Sequence, residues 1–431
     1  MVKKTKAFRA NDIRGIYPLE INAEMARTIG RVVGDKFLGR VIIGLDVRSS
    51  SPVLYEALKE GLALSGVLEV IEVGIVTTPT LYYLVSSLGL NGGIMVTASH
   101  SPAEHGGLKI MREGAAPVSG EEVWHWIEQD GLGLYVDFLR GEIIKGGRVV
   151  RIVFDCSNGS VGRVLRKIFL RNQAVEAIFI NDKEDANFTA HGPDPLGDGA
   201  ILELQARVLS EVADLGVIFD ADGDRAFFVD ENGLEITSAQ ALTLMGMSLP
   251  EGERVVIDQI IGGLPKRVLG EWGIEVMESR VGNIFVREKM REVDAVLGGE
   301  YSGHFYFRNF GFNDSGIFAA IQLINLLKAR CESVSELLSA WPKFYGRMVN
   351  FNFIREEVPR VIEVIIAECG FAASEINRDD GVKLIFDDYF IAVRASNTED
   401  LLRLNVEAVT EEILEEVVER VTGIVEDGSG N

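Results

Sequence analysis

The stretch VIIGLDVRSSSPVLYEALKEGLALSGVLEVIEVG, Val41–Gly74, decides the fold. A β-type apolar run, Val41–Val47, leads into a helix-length amphipathic segment, Pro52–Gly66, and then into a second β-type run, Val67–Gly74. That order is the grammar of a strand–helix–strand unit with parallel strands. It continues through TPTLYYLVSSLG, Thr78–Gly89, and GGIMVTAS, Gly92–Ser99. The grammar restarts at VVRIVFDCSNG, Val149–Gly159, with the helical SVGRVLRKIFLRN and the strand AVEAIFIND behind it. It restarts again at RVVIDQI, Arg254–Ile260, followed by LPKRVLGEWG and IEVMESR. Three α/β units therefore follow one another. They share this grammar and show no clear residue-level repeat.

Three soft junctions separate the units: RGEIIKGGR (Arg140–Arg148), SLPEGER (Ser248–Arg254) and WPKFYGRM (Trp341–Met348), each rich in turn formers. Domains are expected at 1–144, 145–247, 248–346 and 347–431. The last is smaller and reads as α+β, with NFNFI, a helix through VPRVIEVIIAECG, the strands VKLIFD and YFIAVRAS, and a terminal helix TEEILEEVVERVTGIV whose acidic face is a solvated surface.

A length of 431 residues, 47% hydrophobic and 25% charged, fits several domains of roughly 100 to 150 residues. The net charge of −22 argues against a nucleic-acid binder, because affinity for a phosphate backbone rests on clustered Lys and Arg. An anionic substrate needs a local basic pocket set against that field. Cys156, Cys331 and Cys369 are far apart with no C-x-x-C pair, so they read as reduced, buried thiols of a cytoplasmic protein. The basic start MVKKTKAFRANDIRG has no apolar segment behind it, and nowhere do about 18 apolar residues run together. The expectation is a chain that is neither secreted nor membrane-bound.

Four polar segments carry candidate chemistry. In GGIMVTASHSP, Gly92–Pro102, an apolar run stops in a turn that offers the hydroxyl of Ser99. In LGVIFDADGDRAFFVDENG, Leu215–Gly233, Asp220, Asp222 and Asp224 alternate in a tight turn; carboxylates that close repel one another unless a hard divalent cation lies among them. An EF-hand would need glycine at the loop's sixth position, where Arg225 stands, and helices on both sides. An aspartyl-phosphate phosphatase would carry Thr or Ser after the D-x-D-G, where Asp224 follows Gly223. In LGGEYSGHFYF, Leu297–Phe307, Glu300, Ser302 and His304 alternate, so an extended backbone points all three one way, a set suited to sugar hydroxyls. In IAVRASNTEDLLRL, Ile391–Leu404, Arg394 with Ser396, Asn397 and Thr398 has the inventory of a phosphate cradle. Each segment has a structural reading by itself: a turn, a polar strand end or a helix cap. Arg14, the pair Asp46 and Arg48, and Lys109 are read singly as structural.

Together, TASHSP, DADGDR, GEYSGH and RASNTE, in this order and one per domain, resemble the α-D-phosphohexomutase family, particularly its phosphomannomutase/phosphoglucomutase branch. FRANDIRGIY, GLDVRSSSP, HGPDPL (His191–Leu196) and DSGIFAAIQLI (Asp314–Ile324) extend the likeness nearly end to end. The resemblance implies three similar α/β domains with mixed sheets and a smaller C-terminal α+β domain around a central cleft. It implies interconversion of hexose 1-phosphate and 6-phosphate, mannose and/or glucose, through a phosphoserine and a hexose 1,6-bisphosphate, which also serves as activator. Ser99 would be the phosphoserine, binding one Mg²⁺ with Asp220, Asp222 and Asp224. Arg14, His100, Lys109 and Arg225 would surround the transferred group, and His304 matches a position there as well. Glu300 and Ser302 would hold the sugar's O3 and O4, and Arg394, Ser396, Asn397 and Thr398 the other phosphate. Hexose phosphates would be the partners of a monomer or homodimer, with no nucleic acid and no membrane.

The chain departs from the family pattern at Ser101, at His105–Gly107 and at Asp400. More serious are Ile260, where a basic residue is expected, and Asn283, where a His is common; Arg280 or Arg287 is near enough in sequence to replace the charge. Alternative readings are a phosphoglucosamine mutase and a catalytically weakened sugar-phosphate binder.

Overall fold

In a computed structural model of the chain, which describes residues 3–169, 172–353, 357–395 and 400–428, the alternating apolar runs form four sheets. The first contains β1 (Ile13–Ile16), β2 (Arg40–Leu45), β3 (Glu69–Ile75), β4 (Gly92–Val96), β5 (His105–Arg112) and β6 (Pro117–Val118). β2 pairs in parallel with β3 on one side and β4 on the other, and β4 then turns back antiparallel to β5. Residues 1–140 form one compact unit and 141–431 another.

The first unit is held by two helices, Ala23–Phe37 and Ser51–Ala63, that approach closely enough to exclude side chains at the crossing. A Cβ on Gly30 would fall 2.3 Å from the Leu58 carbonyl oxygen, and one on Gly61 2.0 Å from that of Arg27. Around that crossing Ile29, Val33, Leu58 and Leu62 are buried with the sheet residues Val41, Ile43, Ile94 and Val96. Each fully buried aliphatic side chain of this kind contributes about 1.5–3 kcal/mol of transfer free energy.

Within the second unit the same topology appears twice more. β7 (Val150–Asp155) lies parallel between β8 (Val175–Ile180) and β9 (Leu215–Phe219), and β9 turns back into β10 (Ala226–Asp230) and β11 (Glu235–Ile236). β12 (Arg254–Asp258) lies parallel between β13 (Glu275–Ser279) and β14 (Leu297–Gly299), and β14 turns back into β15 (Phe305–Phe307) and β16 (Asn313–Asp314). The three mixed sheets thus share an order in which the first parallel strand lies between the second and third. The parallel strands match the apolar runs read from sequence; the antiparallel returns range from eight residues in β5 to three in β15.

The fourth sheet is entirely antiparallel, in the order β17 (Tyr345–Asn352), β21 (Leu401–Ala408), β20 (Tyr389–Ala395), β19 (Val382–Ile385) and β18 (Glu375–Asn377). Helices Val358–Cys369 and Glu411–Gly428 pack on it through Val361, Ile365, Val417 and Val421. Among the described residues no helix is long and apolar enough to cross a membrane. Cys156 and Cys369 are buried, but Cys331 is exposed, because it follows the end of helix Gly316–Ala329 in a surface turn.

Candidate active-site loops

Three of the four polar segments occupy the same place in the repeated topology: the loop that leaves the third parallel strand and turns back. TASHSP follows β4, DADGDR follows β9, and EYSGH follows β14. Such loops lie beyond the carboxyl ends of parallel strands, where α/β sheets present their ligand sites.

In the first unit Ser99 is exposed, with φ 53°, a left-handed backbone that costs a non-glycine residue about 1 kcal/mol or more. Its N–H donates to Thr97 Oγ1 at 2.9 Å, and its Oγ lies 3.5 Å from His100 Nδ1. Arg14, on β1, donates through Nη1 to Ser101 Oγ at 3.3 Å and pairs with Asp12. Lys109 lies on β5 opposite Met95. Arg48, read singly as structural, reaches the serine loop itself: its guanidinium donates to the carbonyls of Ser99, Ser101, Pro102 and His105.

In the second unit the turn after β9 gathers Asp220, Asp222 and Asp224, with one oxygen of each within 4.8 Å of the others. Gly223, at φ 83°, makes the turn possible, since a Cβ there would fall 2.6 Å from Val161. Asp220 Oδ1 accepts from the N–H groups of Gly223 at 3.0 Å and Arg225 at 3.1 Å. Burial and the neighbouring Asp224 carboxyl nevertheless push Asp220 up to about 7, against the pull of the Arg225 N–H. Asp224 is held low, chiefly by hydrogen bonding with His304, whose Nε2 lies 3.4 Å from its Oδ1. Three carboxylates this close together, one of them driven towards neutrality by burial and by its neighbours, are what a hard cation site looks like without its cation, so these residues fit a divalent metal.

Glu300, Ser302 and His304 do not alternate along a strand. β14 stops at Gly299, and Glu300–Gly303 form a turn closed by Gly303 N donating to Glu300 O and Glu300 N to His304 O. The reason is local: Gly303 takes φ 86°, which ends the extended path. The turn still brings the three together. Ser302 Oγ lies 2.9 Å from His304 Nδ1, and Glu300 Oε2 lies 3.4 Å from the same nitrogen. Glu300 is buried and already accepts from Gly282 N–H and the Tyr306 hydroxyl. Burial lowers the His304 imidazole, but hydrogen bonding with Asp224 and the fields of Asp224 and Glu300 outweigh it, so His304 titrates above its usual range. Its Nε2 lies 3.3 Å from Arg225 Nε and 3.4 Å from Asp224 Oδ1. The carboxylate turn and the EYSGH turn therefore meet through Arg225, Asp224 and His304.

Arg394, on β20, is buried, and desolvation lowers it while Asp380 opposes the shift. Ser396, Asn397 and Thr398 lie outside the described residues. At the two departures from the expected pattern, Asn283 donates to Asp314 Oδ2 at 2.8 Å and accepts from Arg287 at 3.2 Å, which brings that arginine's charge to the edge of the His304 cluster. Arg280 instead stacks over Phe285. Ile260 is buried against Phe390 and Ala392. The cation beside it comes from the last domain: buried Lys383 donates to Gln259 O at 2.7 Å and to Glu278 at 2.6 Å. Lys383 is hard to find from sequence because its partners lie more than a hundred residues upstream; a lysine in the otherwise apolar VKLIF run is its one local signal.

Residues 5–130, 134–233 and 234–344 match α/β/α domains I, II and III of phosphoglucomutase/phosphomannomutase, and 348–424 match its C-terminal domain. A phosphomannomutase of Salmonella typhimurium is 32% identical, over 94% of this chain and 95% of that one. The chain belongs to the phosphoglucomutase/phosphomannomutase family. It is by that membership a hexose-phosphate mutase enzyme. A phosphomannomutase of Methanocaldococcus jannaschii is 30% identical over 97% of both chains. A crystal structure of a phosphoglucomutase/phosphomannomutase family protein from Burkholderia thailandensis, 28% identical, superposes with a TM-score of 0.62 and covers 100% of this chain and 99% of that one. For this family member the shared place of three motif loops in three successive sheets is therefore a property of one repeated domain.

Proposed function

We propose that this mutase interconverts the 1- and 6-phosphates of mannose and/or glucose through a phosphoserine at Ser99 and a hexose 1,6-bisphosphate. The observation that carries the reading is the carboxylate turn, with one oxygen of each aspartate within 4.8 Å of the others and an Asp220 carboxyl pushed up to about 7. In this reading Asp220, Asp222 and Asp224, completed by the phosphate of Ser99, hold one Mg²⁺. When bound, the cation supplies positive field to the phosphoryl oxygens as charge spreads over them.

The chain's own groups supply the rest. A serine oxygen is a poor nucleophile and a poor leaving group, so transfer in both directions depends on positioning and charge. Arg14, Lys109 and Arg225 are the fixed cations of that field, and His100 flanks the nucleophile. His304, which keeps its proton above the usual range, is a donor to a phosphoryl or hydroxyl oxygen. Glu300 and Ser302 hold O3 and O4, which glucose and mannose share, and Arg394, Ser396, Asn397 and Thr398 hold the phosphate that is not being transferred. A cytoplasmic location accords with three cysteines that are all free thiols.

The test is a mutase assay primed with glucose 1,6-bisphosphate and Mg²⁺, run beside intact-mass analysis. The wild-type chain is expected to turn over mannose 1-phosphate or glucose 1-phosphate and to carry one phosphoryl group. Ser99→Ala is expected to lose both. Normal turnover by Ser99→Ala would refute the reading, and side-by-side kcat/KM values with glucosamine phosphate separate it from a phosphoglucosamine mutase.

A further inference from the structure

The three mixed sheets repeat a second feature. Each first parallel strand ends at or next to an aspartate whose Oδ1 accepts from the backbone N–H two residues on: Asp46 from Arg48, Asp155 from Ser157 and Asp258 from Ile260. In each domain this turn also bonds to the motif loop that leaves the third strand. Ser157 Oγ donates to Phe219 O and Ser160 N to Ala221 O, and Asp258 Oδ2 accepts from Tyr301 N. At the equivalent place in the first domain the group two residues on is a cation. Arg48 Nη1 donates to Pro102 O at 2.7 Å and His105 O at 3.2 Å, Nη2 donates to Ser99 O at 2.7 Å and Ser101 O at 2.6 Å, and Nε lies 3.3 Å from Asp46 Oδ2. Four N–H groups of the guanidinium donate to loop carbonyls and Nε faces the Asp46 carboxylate, which a lysine ammonium with three donors does not reproduce.

We propose that Arg48 is a positioning residue for phosphoryl transfer, fixing the left-handed turn at Ser99 by gathering four loop carbonyls on one partly buried cation. The inference rests on the reading of Ser99 as the phosphoryl carrier. Four converging carbonyl oxygens would otherwise turn negative dipole ends towards one point beneath a serine that must carry a dianionic phosphate. Arg48 neutralises them from below while leaving the Ser99 hydroxyl exposed, and Asp46 fixes the arginine from behind. The longer loop, 97–104 against 220–225 and 300–304, has more backbone to satisfy than one hydroxyl or one carboxylate can reach.

Arg48→Lys and Arg48→Ala are compared with wild type and Ser99→Ala in the primed assay at saturating bisphosphate and Mg²⁺. The rate of phosphoryl loading from glucose 1,6-bisphosphate is followed by intact mass. Both Arg48 variants are expected to lose about a hundredfold in kcat and in loading rate, because the nucleophile is misplaced, with KM for hexose phosphate unchanged within about twofold. Guanidinium ion, against a sodium control of equal ionic strength, is expected to raise the Arg48→Ala loading rate and leave Ser99→Ala at zero. Arg48→Lys keeps the stem and the charge, so it carries the test if Arg48→Ala does not fold. A kcat for Arg48→Lys within about threefold of wild type, or a loss confined to KM, would overturn the proposal. Turnover by Ser99→Ala would instead overturn the reading of Ser99, so the two failures are distinguishable.

Discussion

The serine loop after β4 and the carboxylate turn after β9 hold equivalent positions in the repeated domain, yet their backbones are secured by opposite means. An arginine that donates to four of its carbonyls holds the first. A buried serine hydroxyl and a backbone N–H hold the second. The difference follows from the charge each loop must present. A loop that carries a phosphate gains from a cation in its foundation. The turn that offers three carboxylates to a metal already has Arg225 Nε 3.8 Å from Asp220 and 3.9 Å from Asp224, and a second guanidinium in its foundation would compete further for those carboxylates. A neutral hydroxyl fixes the turn's backbone and leaves its charge available.

The largest effect should come from removing that charge. Asp220→Asn, or chelation of the wild-type enzyme with EDTA, is expected to lower kcat/KM by at least about a thousandfold, the scale of a metal's stabilisation of transferring charge. Added Mg²⁺ should restore only the wild type. Mg²⁺-dependent turnover by Asp220→Asn would break the comparison. Ser157→Ala should be milder, because it removes the hydroxyl clamp and keeps the carboxylates. We expect a loss of about 1–2 kcal/mol in denaturant stability from the unpaired Phe219 carbonyl, and about tenfold weaker Mg²⁺ binding by titration. Unchanged Mg²⁺ affinity would show that the clamp is structural only.

The pH dependence of the metal-free chain sharpens the same point. Asp220 is raised from 3.8 to about 7 in the fold. Between those values the folded chain binds a proton that the unfolded chain has released, so Asp220's contribution to stability falls as pH rises through that window. The slope measured in EDTA from pH 4 to 7 should be reduced in Asp220→Asn, and adding Mg²⁺ to the wild type should remove the same Asp220 part and leave the part due to Asp258 and Glu407. The smallest effect is expected at Ser101→Ala. Arg14 loses one long contact of 3.3 Å and keeps Asp12, so activity should stay within about threefold and the phosphoryl group should still map to Ser99. A phosphosite at Ser101 in the wild type would transfer the carrier role to that residue.

Much of this was legible in the sequence because it was local. The strands β2, β7 and β12 announce themselves as apolar runs, and DADGD places three carboxylates together whatever surrounds them. The domain repeat was not legible as residues, since its three copies share topology and one aspartate in a turn rather than a side-chain pattern. The spacing in GEYSGH predicts an alternating strand, but a positive φ at Gly303 makes it a turn. Arg48 was read singly as structural, because its four acceptors lie more than fifty residues away in a loop of no regular structure.

The amino-acid sequence by itself determined the strand–helix order, the local chemistry of each motif and, through four motifs in order, the family. Short-range periodicity and neighbouring side chains are properties of the chain before it folds. Only the tertiary structure decided that the three motif loops are equivalent, that Lys383 lies beside Ile260, and that the Ser99 carbonyl meets the Arg48 guanidinium. Those facts depend on which strands pair, and pairing is set by the burial of whole sheets rather than by any residue's neighbours in sequence.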